Sequence, residues 1–222
     1  TGGDGADTIT GGSAADVITG GLGTDTITGG AGADTIEVTA HAGVDIVVVA
    51  AGDTTLTIAG SGNAGTITGF DTLTGFAAGD GSSNSDHLNV QGTAVVLATT
   101  PGVNGADSTL TISGATIKSH KVDEGVITFD DVDTFVSAVT ISDEAGIAAV
   151  VQYLQEQDLG DAGVSVIFDV GSDSYLYTQG TDAQSVDDGA DDALDILVKL
   201  TGVQADSLIL TNGTGANDVF IS

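Results

Sequence analysis

The chain has 222 residues, enough for one large or two small domains with real cores. It carries 32 Asp and Glu against three basic residues, Lys118, Lys121 and Lys199, for a formal net charge of -29. That imbalance argues against nucleic acid as a partner, because nothing here neutralises phosphates. It argues equally against direct contact with an anionic membrane, and no apolar run approaches the roughly 18 residues of a membrane span, so direct membrane insertion is not expected.

Charge of this size normally marks disorder. Yet 41% of the residues are hydrophobic and the mean hydropathy is +0.27, so apolar surface suffices for folding. The conflict resolves if cations neutralise the carboxylates, and calcium, a hard ion taking oxygen ligands, is the natural candidate. Cysteine is absent. An extracellular protein without disulfides needs another fastener, and metal ions can serve. The chain starts in mid-pattern without Met or a signal peptide, and reads as the C-terminal piece of something longer.

The pattern is a nine-residue repeat. Four copies run without a gap, Gly2–Thr10, Gly11–Thr19, Gly20–Thr28 and Gly29–Glu37. Positions 1 and 2 are Gly, position 6 is Asp and position 8 is Ile throughout. Position 4 is Gly except at Ala14. After a two-residue insertion a weaker fifth copy appears as Ala42-Gly43-Val44-Asp45-Ile46-Val47.

Glycines permit φ > 0 and close backbone approach, so the first six residues of each repeat form a tight turn. Backbone carbonyls then point at an ion beside the Asp carboxylate. The last three residues form a short strand with the apolar side chain inward. Two repeats make one turn of a flattened right-handed coil, so Asp7 stacks near Asp25 and Asp45, and Asp16 near Asp34. Carboxylates about 4 Å apart repel by roughly 4 kcal/mol at an effective dielectric of 20. The ion-free coil is therefore expected to be unfolded, with calcium supplying much of the folding free energy. The metal candidates are Asp7, Asp16, Asp25, Asp34 and Asp45, with the turn backbone at Gly3, Gly5, Gly12, Ala14, Gly21, Gly23, Gly30, Gly32 and Gly43. The competing readings are a disordered linker, a metal-free solenoid, and an ice-binding ladder built on Thr8, Thr10, Thr26 and Thr28.

Beyond the repeats, alternation predicts strands at 45–49, 54–58, 66–68, 87–90, 94–98, 109–112, 115–118 and 126–129. These continue the solenoid or build a sandwich-like cap. The polar loop 79–86 makes Asp71, Asp80 and Asp86 candidates for a further calcium site, with a solvated loop the alternative. His41, His87 and His120 are scattered, and Lys118-Ser119-His120-Lys121 reads as an exposed basic loop. No H-E-x-x-H, G-x-S-x-G, Walker sequence or Cys nucleophile is present, so these residues are not expected to form an enzyme. One helix is predicted, capped by Ser142, with Ile147, Val150, Val151 and Leu154 as its apolar stripe and Gly160 as its stop. A hairpin follows, Val164–Val170 with Ser174–Thr178. The acidic stretch 187–192 is a solvated loop or a calcium site, and strands follow at Leu194–Leu200 and Leu208–Leu210. The last six residues, Asn217 to Ser222, read as an edge strand or as the end of an uncleaved secretion signal.

Residues 2–48 resemble the nonapeptide block of RTX proteins. The resemblance implies export by a type I ABC transporter and folding on meeting external calcium. Phe70–Asp80 with Asp86-His87-Leu88 is similar to the D-x-I-x-x-F-x-x-G-D-x-I-D-L element that follows many such blocks, with a longer loop. About the last 80 residues resemble the C-terminal region of RTX-type surface-layer proteins, through Val151–Leu154, Phe168–Tyr177 and Asp195–Val203. That implies a secreted, cell-surface protein which self-associates into a two-dimensional lattice. The expected fold is mainly β: a parallel β-roll or β-solenoid over 1–50, a β-rich continuation or sandwich-like segment over 51–135, and a C-terminal α+β cap with one helix and the secretion signal over 136–222. The alternative is the same calcium module on a secreted RTX metalloprotease, lipase or adhesin whose functional domain lies upstream.

Overall fold

The computed structural model of the chain describes residues 1–38, 43–60, 65–81, 84–91, 96–97, 109–157, 163–180, 195–211 and 218–222. His41, the helix stop at Gly160, Leu194, Asn217 and the acidic stretch 187–192 lie outside the described residues, as do Ala94, Val95 and Ala98.

Successive repeats send their strands alternately to two sheets. Thr8–Gly12, Thr26–Gly30, Ile46–Ala50 and His87–Gln91 pair in parallel, in that order, in one sheet. Val17–Thr19, Thr35–Glu37 and Asp71–Thr74 do the same in the other. Ile9, Ile27, Val47 and Leu88 fall in register in the first sheet, and Ile18, Ile36 and Leu73 in the second. The period-2 alternation thus puts every position-8 side chain on the same inner face. On the outer face Thr8 and Thr10 pair with Thr26 and Thr28, but the next coil carries Ile46 and Val48. The threonine ladder ends after two rungs.

Strands from the second half of the chain extend both sheets. Ile196–Thr201 adds in parallel beside Asp71–Thr74, followed by antiparallel Asp173–Thr178 and Val164–Val170. Val126–Asp130 pairs with Val164–Val170 and with Ser119–Asp123 beyond it. In the other sheet Asp218–Ile221 lies antiparallel to His87–Gln91 and to Leu208–Thr211. The C-terminal strand is therefore interior to its sheet, not an edge, and its apolar triplet Val219-Phe220-Ile221 is buried. Among the described residues the fold is mainly β with one helix, and its sheets are mixed.

Two apolar clusters hold these layers together. One lies between the sheets and joins Ile18, Ile27, Ile36, Val47, Leu73 and Leu88 to Val198, Leu200, Val219 and Ile221. The other packs Ile147, Val150, Val151 and Leu154 of the helix Glu144–Gln157 onto Phe129, Val166, Phe168, Tyr177 and Leu197. Alternate residues of Val164–Val170 serve both clusters, with Ile167 facing the first and Val166 and Phe168 the second. Among the described residues no helix is long and apolar enough to cross a membrane.

Two local expectations change. The helix is capped by Asp143, whose Oδ1 accepts the Gly146 N–H at 2.8 Å, while Ser142 bonds Ser113 instead. A carboxylate there also complements the positive end of the helix dipole. His120 is not in an exposed basic loop. It sits in the strand Ser119–Asp123, 8% exposed, with Nδ1 2.8 Å from the Tyr153 hydroxyl, because strand alternation turns His120 inward and Lys121 outward.

Burial holds the His120 pKa below its ordinary value. The unfolded chain therefore binds this proton first, and stability present above pH ~6.5 is lost as pH falls. At fixed saturating calcium, wild type should lose melting temperature relative to His120→Gln as pH drops from about 7.5 to 5. A pH-independent difference between the two would contradict a buried neutral imidazole.

Candidate metal centre

Each repeat's Asp stands at the end of its turn, one residue before its strand, so strand pairing stacks the aspartates into two columns. In the first column the Asp7 N–H donates to Asp25 Oδ1 at 2.9 Å, Asp25 N–H to Asp45 Oδ1 at 2.8 Å, and Asp45 N–H to Asp86 Oδ1 at 2.8 Å. In the second, Asp16 N–H donates to Asp34 Oδ1 at 2.8 Å and Asp34 N–H to Asp71 Oδ1 at 2.9 Å. The carbonyls of Asp7, Asp16, Asp25, Asp34 and Asp45 accept in turn from the residue that follows the next aspartate of the column, at 2.8–3.1 Å. Asp25, Asp34, Asp45, Asp71 and Asp86 are all 2% exposed or less.

The second carboxylate oxygen is the telling one. Oδ2 of Asp7, Asp25 and Asp34 is buried and has no hydrogen-bond partner. Contrast Asp195, also buried, whose carboxylate accepts from the Gly180 N–H, the Tyr177 hydroxyl and the Gln155 amide. A buried carboxylate left short of partners costs several kcal/mol. The first glycine of each repeat keeps room beside that oxygen: a Cβ on Gly20 would lie 2.7 Å from Asp25 Oδ2, and one on Gly2 2.6 Å from Asp7 Oδ2. At position 4, Gly5, Gly23 and Gly32 take φ of 113°, 126° and 128°, which only glycine adopts without strain. Burial, with the charge of neighbouring carboxylates added, pushes the Asp34 pKa up and that of Asp71 up to about 7.

The donors here are carboxylate and carbonyl oxygens with no nitrogen or sulfur, the set that suits a hard divalent cation. Among the described residues no three acidic or histidine side chains converge on one point. An ion in these turns must therefore draw on the backbone as well as on Asp. Residues 1–36 match the family model for the RTX calcium-binding nonapeptide repeat, in four copies. These four turns are RTX calcium-binding repeats. No curated protein matches the chain.

The second RTX turn departs from its neighbours. With Ala14 at position 4, neither it nor Gly12 takes positive φ, and the Gly12 N–H donates to Asp16 Oδ2 at 2.7 Å. Asp45 continues the first RTX column beyond the matched residues, and Gly43 is required there because a Cβ would lie 2.6 Å from the Gly23 carbonyl oxygen.

Asp71, Asp80 and Asp86 do not form a common site. Asp71 belongs to one column and Asp86 to the other, because each heads a strand in a different sheet, while Asp80 is exposed. Asp86 also accepts the Ala77 N–H on Oδ2 at 2.9 Å, so its carboxylate caps the first column with backbone donors on both oxygens. The signal for both was present in the tetrapeptides Asp71-Thr72-Leu73-Thr74 and Asp86-His87-Leu88-Asn89, which repeat positions 6 to 9.

Asp25 has a column neighbour on each side, whereas Asp7 donates to Asp25 and stands at the column's start. Asp25→Ala should raise the calcium midpoint of folding, followed by circular dichroism, several-fold more than Asp7→Ala. Equal midpoints would rule out the column as the unit of ion binding.

Proposed function

We propose that the chain is a calcium-dependent folding, secretion and assembly module of a bacterial cell-surface protein of surface-layer type. The observation that carries this reading is the continuity of the Asp columns. They run from the RTX turns at Asp7 and Asp16 to Asp86 and Asp71, whose strands pair directly with Asp218–Ile221 and Ile196–Thr201. Whatever organises the columns also organises the strands on which the C-terminal half is built.

A bound divalent cation would supply the positive charge that the stacked carboxylates lack. The chain's own part is to hold those carboxylates in register by backbone N–H donors, keep glycine beside Oδ2 of Asp7, Asp16, Asp25 and Asp34, and exclude water from Asp25, Asp34 and Asp45. Extracellular calcium modules bind at roughly 0.1–1 mM, so such sites stay empty in a cytosol and fill outside the cell. That difference suits a chain threaded unfolded through a type I ABC transporter and folded after export. A charge of -29 and no cysteine fit the same environment. Self-association into a lattice through calcium is what the resemblance of the C-terminal region to surface-layer proteins implies. No catalytic role is assigned to these residues.

In EGTA the chain should show mainly coil by circular dichroism, and at millimolar calcium mainly β-structure; identical spectra would remove the reading. Electron microscopy of the intact protein with calcium should show ordered sheets. Calcium-dependent folding without sheets would favour the same module serving a secreted RTX enzyme or adhesin.

A further inference from the structure

Between Asp34 and Asp71 the second column crosses 37 residues, about twice the 18 that separate Asp16 from Asp34, and the missing turn is present in altered form. Thr28 is in register with Val48, so Ala50 lies opposite Gly30, the second glycine of the fourth repeat. Gly52 follows with φ of 88°, on the positive side like Gly32 at 128°. The Ala50 N–H donates to Asp53 Oδ2 at 2.7 Å, as Gly12 N–H donates to Asp16 Oδ2 at 2.7 Å in the second turn. The Gly32 N–H donates to the Asp53 carbonyl at 2.9 Å, which ties these residues to the fourth turn. Residues 50–53 are thus a shortened repeat turn ending in an aspartate.

Where a regular turn enters its strand, the chain leaves instead. It forms the antiparallel pair Thr57–Ala59 and Thr66–Thr68, and returns at Asp71 to take the strand slot beside Thr35–Glu37. The sixth repeat is split in two, and each half supplies a carboxylate. We propose that Asp53 and Asp71 together form a calcium site at this split turn, with backbone oxygens of the fourth turn completing it. The proposal rests on the calcium reading of the RTX turns and extends it to a residue outside the repeat pattern.

Two further observations point to a cation here. Asp34, 1% exposed, has a buried Oδ2 with no hydrogen-bond partner. Asp53 and Asp34 both act electrostatically on Asp71, itself 2% exposed, and Asp53 acts on Asp34 as well. The lysine brought closest by sheet pairing, Lys199 opposite Thr72, is engaged by Asp173 at 2.9 Å. The hard-oxygen donors select calcium over softer metals.

The test is calcium stoichiometry of the purified chain by equilibrium dialysis at saturating calcium, for wild type, Asp53→Asn and Asp123→Asn. Asn at 53 keeps an acceptor for the Ala50 N–H while removing the charge, and Asp123 is an exposed partner of Lys121. Asp53→Asn should bind one ion fewer than wild type and require several-fold more calcium to fold, with Asp123→Asn unchanged. Wild-type stoichiometry and midpoint in Asp53→Asn would overturn the split-turn site alone. A wild-type chain that binds no calcium would overturn the reading of the RTX turns as well. Should Asp53→Asn stay unfolded at saturating calcium, Asp53→Ser is judged by the same two criteria.

Discussion

Successive turns of this protein are tied together by aspartates that receive a backbone N–H on one carboxylate oxygen, and at Asp25 and Asp34 the other oxygen is buried without a hydrogen-bond partner. The first half of that arrangement is favourable, since N–H donors to a carboxylate make strong, short bonds. The second half stacks like charges out of water, where carboxylates about 4 Å apart repel by roughly 4 kcal/mol at an effective dielectric of 20. Parallel register forces the stacking: with Ile9 opposite Ile27 and Ile27 opposite Val47, Asp7, Asp25 and Asp45 have nowhere else to go. The apolar layer and the acidic column are therefore one constraint. A cation resolves it, and RTX turns carry the oxygen donors that calcium takes.

The columns also decide where the coil stops. In the first, Asp86 accepts from both Asp45 and Ala77, one backbone N–H on each carboxylate oxygen. The next strand in that sheet, Asp218–Ile221, runs antiparallel and needs no turn aspartate, while Asn89 bonds Asp218 across the junction. In the second column Asp71 is followed by Ile196–Thr201, parallel still, but brought in from more than a hundred residues away. Sheet continuity thus passes the order of the acidic turns to the C-terminal half. The helix cluster adds a core of its own on the far face of the same strands, with Asp195 joining the helix, the hairpin and Ile196–Thr201 through Gln155, Tyr177 and Gly180.

The features hardest to read from sequence were those whose partners are remote. Asp71 and Asp86 looked like one cluster because they flank one polar loop, yet each obeys the repeat rule of a different column. Insertions had broken the nine-residue spacing that reveals the rule elsewhere. His120 looked exposed because lysines flank it at 118 and 121, and only Tyr153 from the helix explains its burial. Ser142 and Asp143 are both good caps, and the serine is drawn off by Ser113 in another element.

The nine-residue period alone determined the turn-and-strand alternation, the acidic columns over the first five repeats and the oxygen chemistry of their ligands. It could do so because glycine's backbone freedom, strand alternation and carboxylate charge are local properties that a regular spacing carries into three dimensions. Only the tertiary structure decided that the columns extend to Asp71 and Asp86, that Asp53 stands at a split turn, and that the C-terminal strand is locked inside a sheet. Those outcomes turn on which strand meets which across 37, 41 or 129 residues, and cross-strand partners are chosen by shared burial rather than by any signal within the segment itself.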